Sequence, residues 1–256
     1  MTTRTQQVIV ALTIIVSVTL VAVDKVRHDR LRAGFAANLR QIAIALQMYS
    51  NQSRGEYYPE LSGEAGRLMF RLPQKDVFDR KYPVEPRMYL CPGDSDSAML
   101  QQLSISEKLT WPVDDHSYFY LGYMVTNDEE MAVYAEAYRK HIADGKAFGD
   151  ALPVPEGTGT LGGDSLKRLS EPHWVWGGAT EGDNALMDEL GTLKLVTPLI
   201  VERPENHKLS GGHVVFWDGH VEYIPYPGKW PMTERFIKAL ESLDALKESH
   251  ADKADK

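Results

Sequence analysis

An uncharged run of sixteen residues, Val8 to Val23 (VIVALTIIVSVTLVAV), constrains this chain more than any other feature. Gln6-Gln7 precede it and Asp24-Lys25 follow it, so polar side chains set its ends. As a helix it spans about 24 Å at ~1.5 Å per residue, which suits a ~30 Å hydrocarbon core once the polar flanks snorkel or the bilayer thins. Removal as a signal peptide would need small residues at two alternating positions, and the run ends Leu20-Val21-Ala22-Val23-Asp24 instead. A retained transmembrane helix over residues 8–23, after a short flank at 1–7, is the expectation. No proline follows until Pro59, and only Gly34 interrupts the helical pattern, so the same helix is predicted to continue over residues 24–52. Leu39, Ile42, Ala43, Leu46 and Tyr49 recur at helical spacing as an apolar stripe, with Arg40, Gln41, Gln47 and Ser50 expected to face away. Such a helix of about 45 residues would reach ~65–70 Å, half in lipid and half against a soluble domain.

That soluble domain is expected over residues 53–247, with a charged tail at 248–256. Of 256 residues, 43% are hydrophobic and 25% charged, enough apolar mass to offset the entropy of ordering a chain of this length. A net charge of -8 opposes a nucleic-acid partner, which would need a basic face. Asp218-Gly219 lies between two alternating stretches, His213 to Trp217 and His220 to Ile224, and predicts a hairpin with a two-residue turn. That turn would set Phe216 opposite Val221 and Val214 opposite Tyr223 on a buried face, with Trp217, His220, Val215 and Glu222 on a wetter one. Further strands are expected at Ser117 to Tyr123, His173 to Trp176 and Leu195 to Val201, where Pro198 points to an edge strand or a bulge. Helices are expected from about Asp128 to Leu152, with Met131, Tyr134, Ala137 and Tyr138 on one side, and after an N-cap at Thr233, with Phe236, Ile237, Leu240, Leu243 and Leu246 apolar. Leu152 to Gly163 reads as an exposed loop. The fold class is therefore α+β, a long N-terminal helix packed on a mostly antiparallel sheet with a C-terminal helix.

Chemistry is harder to find. The single cysteine, Cys91, excludes an internal disulfide or a multi-cysteine metal site. Its neighbours Leu90 and Pro92 suit a buried thiol better than a nucleophile served by His116 or His207. Gly157, Gly159 and Gly162 have dinucleotide spacing, yet Pro153 and Pro155 stand where a buried strand should be. His207, His213, Asp218 and His220 are close in sequence and are candidate imidazole–carboxylate metal ligands. Against that, the turn explains Asp218 and strand packing explains the imidazoles. Asp94 and Asp96 offer oxygen ligands for calcium without a full ligand ladder. No catalytic residue and no cofactor is assigned on this reading.

Several stretches resemble a known family. Residues 38–49 (NLRQIAIALQMY) followed by 55–59 (GEYYP), 90–94 (LCPGD), 117–120 (SYFY) and 206–221 (NHKLSGGHVVFWDGHV) run in the order of motifs in type II secretion pseudopilins and type IV pilin-like proteins with a prepilin-type processing-associated H-X9-DG domain. The H-X9-DG-like region covers 206–224, with His207, Gly211, Gly212, Asp218 and Gly219 as its motif positions. The resemblance implies a pilin-like fold. It also implies a non-enzymatic subunit of a type II secretion or type IV pilus-like envelope assembly, held single-pass in the bacterial inner membrane with its soluble domain in the periplasm. Other pilin-like or secretion-system subunits and inner-membrane lipid are the implied partners; a membrane-tethered periplasmic binding module is the alternative, and a hydrolase a more distant one. Ten residues separate His207 from Asp218, one more than the family spacing. No Gly precedes Val8 and no Glu lies inside the run, so a minor or unprocessed subunit is expected. Lys25, Arg27, Arg30 and Arg32 outnumber Arg4, so charge alone favours a cytoplasmic domain and the family favours a periplasmic one.

Overall fold

A computed structural model describes residues 3–53, 57–71, 86–91, 117–170, 184–204 and 211–247. Helix α1 runs Thr3–Gln52. Its apolar stripe is buried as the spacing predicts: Leu39, Ile42, Ala43 and Leu46 are at most 1% exposed, Phe35 and Ala45 join them, and Tyr49 packs half-buried alongside. Ser50 departs from expectation and is fully buried. It sits four residues after Leu46, so position on the stripe outweighs polar identity, and its carbonyl accepts from Ser53 N–H and Ser53 Oγ at the helix end. Toward the other end, Val16, Val23 and Val26 are 52–58% exposed. Most side chains of the 8–23 span lie outside the described residues. Among the described residues, no helix is long and apolar enough to cross a membrane.

The architecture is α+β. Strands β3 (Tyr118–Tyr120), β6 (Pro198–Glu202), β7 (Gly211–Phe216) and β8 (Val221–Pro225) form one antiparallel sheet in the order β3-β6-β7-β8. Two small antiparallel ribbons flank it, β1 (Glu60–Leu61) with β2 (Phe70–Arg71) and β4 (Ala151–Pro153) with β5 (Ser165–Lys167). Leu152 is buried in the second ribbon, so the stretch expected as a loop from Leu152 begins as strand. Helices α2 (Asp128–Ala143), α3 (Asn184–Val196) and α4 (Glu234–Asp244) complete the fold, α2 ending at Ala143 and not at the expected Leu152.

Two strand assignments shift. Leu195 and Val196 end α3, so β6 begins at Pro198, where a missing N–H costs a ladder nothing. The bulge expected at Pro198 is present, between Pro198 and Ile200, but β6 is an inner strand and not an edge. The strand expected over 117–123 contracts to β3, with Tyr123 making only a bridge to Arg168. The strand expected at His173 to Trp176 lies outside the described residues.

The Asp218-Gly219 hairpin forms with a three-residue loop instead of two. Phe216 N–H donates to His220 O, Gly219 N–H donates to Phe216 O, and Gly219 takes φ +89°, a turn closed by a bulge. Val215 therefore pairs with Val221, Val214 with Glu222 and His213 with Tyr223, one residue off the predicted register. That slip exchanges the faces. The wet face is also smaller than expected, because all six residues of β7 are buried. Phe35 of α1 meets His213 on one side, and on the other a Cβ at Gly212 would meet Met232, just before α4.

Both late helices are capped as their sequences imply. Asn127 accepts from Glu130 N–H before α2, and Thr233 accepts from Phe236 N–H before α4. Met131, Tyr134 and Tyr138 are buried on α2, while Phe236, Ile237, Leu240 and Leu243 are buried on α4. The two helices lie side by side in the same direction, tied by Thr233 to Asp128 at their starts and Arg139 to Ser242 near their ends.

The hairpin loop abuts α1, since a Cβ at Gly219 would lie 2.8 Å from Gln47 Nε2. Gly219→Ala should therefore cost about 1–2 kcal/mol through left-handed backbone strain, with a further loss from contact with Gln47. In urea titrations, Gln47→Ala should restore only the contact part of that loss.

Candidate functional site

Residues 211–224 of the H-X9-DG-like region lie in the β7–β8 hairpin, and they divide between two environments. Gly211 and Gly212 open β7, where space is the issue. A Cβ at Gly211 would come 2.5 Å from Ile224 O, and one at Gly212 would come 2.9 Å from Glu202 O. Asp218 sits in the loop, and its Oδ1 accepts from His220 N–H at 3.0 Å and faces His220 Nδ1 at 2.5 Å. The His220 ring stacks on Phe216 at 4.4 Å with an interplanar angle of 8°.

His213 lies elsewhere, three residues from Phe216 and on the opposite side of the strand. Its backbone N–H and its Nδ1 both reach Glu202 Oε2 at 2.8 Å, and both residues are buried. Tyr223 packs its ring against the same imidazole at 5.2 Å, and Arg32 of α1 covers Tyr223 at 4.1 Å. The four candidate metal ligands are thus His213 beneath α1, Asp218 with His220 at the loop, and His207, which lies outside the described residues. Among the described residues, no three His, Cys, Asp or Glu side chains gather as a metal site.

The other candidates have packing roles where they are described. Cys91 is fully buried and its N–H donates to Ser117 Oγ at 2.9 Å, while His116 lies outside the described residues. Gly157, Gly159 and Gly162 fall in the β4–β5 loop, which closes in a short 3-10 turn at Thr160–Gly162 and leads into β5, not into a helix. A Cβ at Gly159 would strike the Ser165 backbone. Asp94 and Asp96 lie outside the described residues.

The structure also brings together groups that sequence reading missed. Arg203 makes a two-pronged pair with Asp244, both contacts 2.9 Å, and its guanidinium lies 3.9 Å from the Phe119 ring centre. Forty-one residues separate the partners, so no local spacing announces the pair. Buried Arg168 donates to Tyr58 O at 3.0 Å and to Asp150 Oδ1 at 2.9 Å, and lies against Tyr57. A groove of about 690 Å³ runs between α2 and the Pro153-Val154-Pro155 segment.

No protein-family model, curated protein or solved structure matches the chain.

Two measurements probe these pairs. His213→Leu leaves Glu202 without its imidazole partner and should destabilise the fold by ~3–5 kcal/mol, whereas adding Glu202→Leu should recover much of that loss in a double-mutant cycle. Burial tends to raise the Asp244 carboxyl, but hydrogen bonding and charge from Arg203, then Lys247, hold it below the ordinary range. A depressed carboxylate contributes stability above its unfolded pKa and loses it as pH falls through the folded value. Asp244→Asn should accordingly cost ~1–3 kcal/mol at neutral pH, and wild type and variant should converge on acidification below the usual aspartate range.

Proposed function

We propose that this chain is a pseudopilin-like, non-enzymatic subunit of a type II secretion or type IV pilus-like envelope assembly. It would be held single-pass in the bacterial inner membrane with its soluble domain in the periplasm. One observation carries the reading: α1 changes surroundings along its length. From Phe35 onward its stripe is buried in the domain, while Val16 and Val23 are more than half exposed on a run without charge from 8 to 23. Exposed valines on an uncharged run call for another apolar medium, and lipid or neighbouring helices provide it. The order of pilin-like motifs along the chain adds to this support.

The missing Glu within the run shapes the assembly. A homopolymer would have no buried carboxylate with which to neutralise a neighbour's amino terminus, so the chain serves as a minor partner in a mixed assembly. Without a Gly before Val8 it escapes prepilin peptidase cleavage at that run.

Full-length protein should fractionate with the inner membrane and resist carbonate extraction, with its domain open to external protease in spheroplasts. Intact-mass analysis should return an uncut N-terminus. Bulky replacements at Val10, Ile14 and Ser17 should weaken co-purification with envelope partners while the domain's circular dichroism is unchanged. Carbonate-soluble protein, or filaments formed by the purified chain alone, would overturn the reading.

A further inference from the structure

We propose that the outer edge of β8 accepts a short extended peptide as an antiparallel fifth strand, with an acidic side chain of that peptide placed on Arg32. The order β3-β6-β7-β8 leaves β8 with one neighbour in the sheet. Phe216 N–H donates to His220 O, and Val214 and Gly212 stand opposite Glu222 and Ile224. The alternation of an antiparallel ladder then spends the backbone groups of Glu222 and Ile224 on β7 and turns those of Val221 and Tyr223 outward. Among the described residues, no acceptor takes the Val221 or Tyr223 N–H. The opposite edge of the sheet differs, because Tyr120 N–H of β3 donates to Leu68 O at 2.9 Å.

Two outward N–H groups alternating with two carbonyls match the backbone of an extended chain. Pro225 has no N–H, so the open ladder ends there and admits only a short strand.

The side chains select the peptide. Tyr223 lies on the α1 side of the sheet with its ring against His213, and the Arg32 guanidinium is 4.1 Å from the centre of that ring. Arg32 Nε is shut away from solvent without a hydrogen-bond partner, and among the described residues Arg32 makes no ion pair. On the other side of the strand, Glu222 is already paired with Lys229 at 2.7 Å. A residue set opposite Tyr223 in an added strand shares its face, so a carboxylate there meets Arg32 and an ammonium meets like charge. A second copy joined β8 to β8 about a two-fold axis would bring two Arg32 side chains to one short edge. The site needs only the sheet edge and Arg32, so it stands whether or not residues 8–23 lie in lipid.

The test titrates full-length protein in lipid nanodiscs with a fluorescent peptide, Thr-Val-Thr-Glu-Thr-Val-Thr, followed by anisotropy, and reads amide hydrogen exchange residue by residue along β8. Bound peptide should slow exchange at Val221 and Tyr223. Replacing the central Glu of the peptide with Lys, or N-methylating that Glu, should each weaken binding about tenfold. N-methylating the next Thr, whose N–H faces away from β8, should change little. These peptide variants leave the protein untouched. Arg32→Glu should invert the preference between the two peptides, and Val221→Pro should remove binding while circular dichroism is unchanged. Unslowed exchange at Val221 and Tyr223, equal binding of the Glu and Lys peptides, or indifference to N-methylation of the Glu would overturn the site. Slowing that grows with protein concentration in the absence of peptide would give the edge to a second copy and overturn it as well.

Discussion

Everything else in the domain is arranged around the burial of the α1 stripe against the β7–β8 hairpin. Phe35, Leu39, Ile42 and Leu46 are removed from water almost completely. At ~1.5–3 kcal/mol for each large apolar side chain, this one contact outweighs any single polar interaction in the molecule. It requires a sheet surface that can accept a helix at close range. β7 meets the requirement with buried residues throughout, and the loop at Gly219 lies against Gln47, whose Nε2 would be 2.8 Å from a Cβ there.

The same contact explains why a buried carboxylate–imidazole pair is tolerated under the helix. Glu202 and His213 are both buried, which would be costly for either alone. Here the carboxylate accepts from the His213 backbone N–H and faces its Nδ1, and the imidazole is walled by Phe35 and Tyr223. Arg32, lying over Tyr223, extends this seat by one turn toward the N-terminus. A histidine that reads in sequence as a metal candidate thus becomes part of the surface on which the helix rests.

How much was legible in the sequence follows from how local each signal is. The α1 stripe, the α4 cap and the existence of the hairpin rest on spacings of a few residues, and these were readable. The hairpin register was not, because Asp-Gly serves a two-residue turn and a three-residue loop equally well, and one residue of difference exchanges the faces. Ser50 was misjudged from polarity when its place four residues beyond Leu46 decided the outcome. Arg203 with Asp244 and Arg168 with Asp150 join distant segments, so no pattern within a window could reveal them. The groove on α2 depends on where β4 passes, which is likewise a tertiary fact.

Among the motif positions that suggested chemistry, those described have a mechanical explanation. Gly211 and Gly212 let β7 approach Ile224 and Glu202, Gly219 lets the loop meet α1, and Asp218 receives the His220 N–H that leads into β8. Their joint effect is a stiff platform under the segment of α1 that contains Phe35 and Leu39. Tilting α1 on this platform would expose Phe35 and Leu39 and open the contact of Phe35 with His213, so burial at these positions fixes the direction in which the helix leaves the sheet.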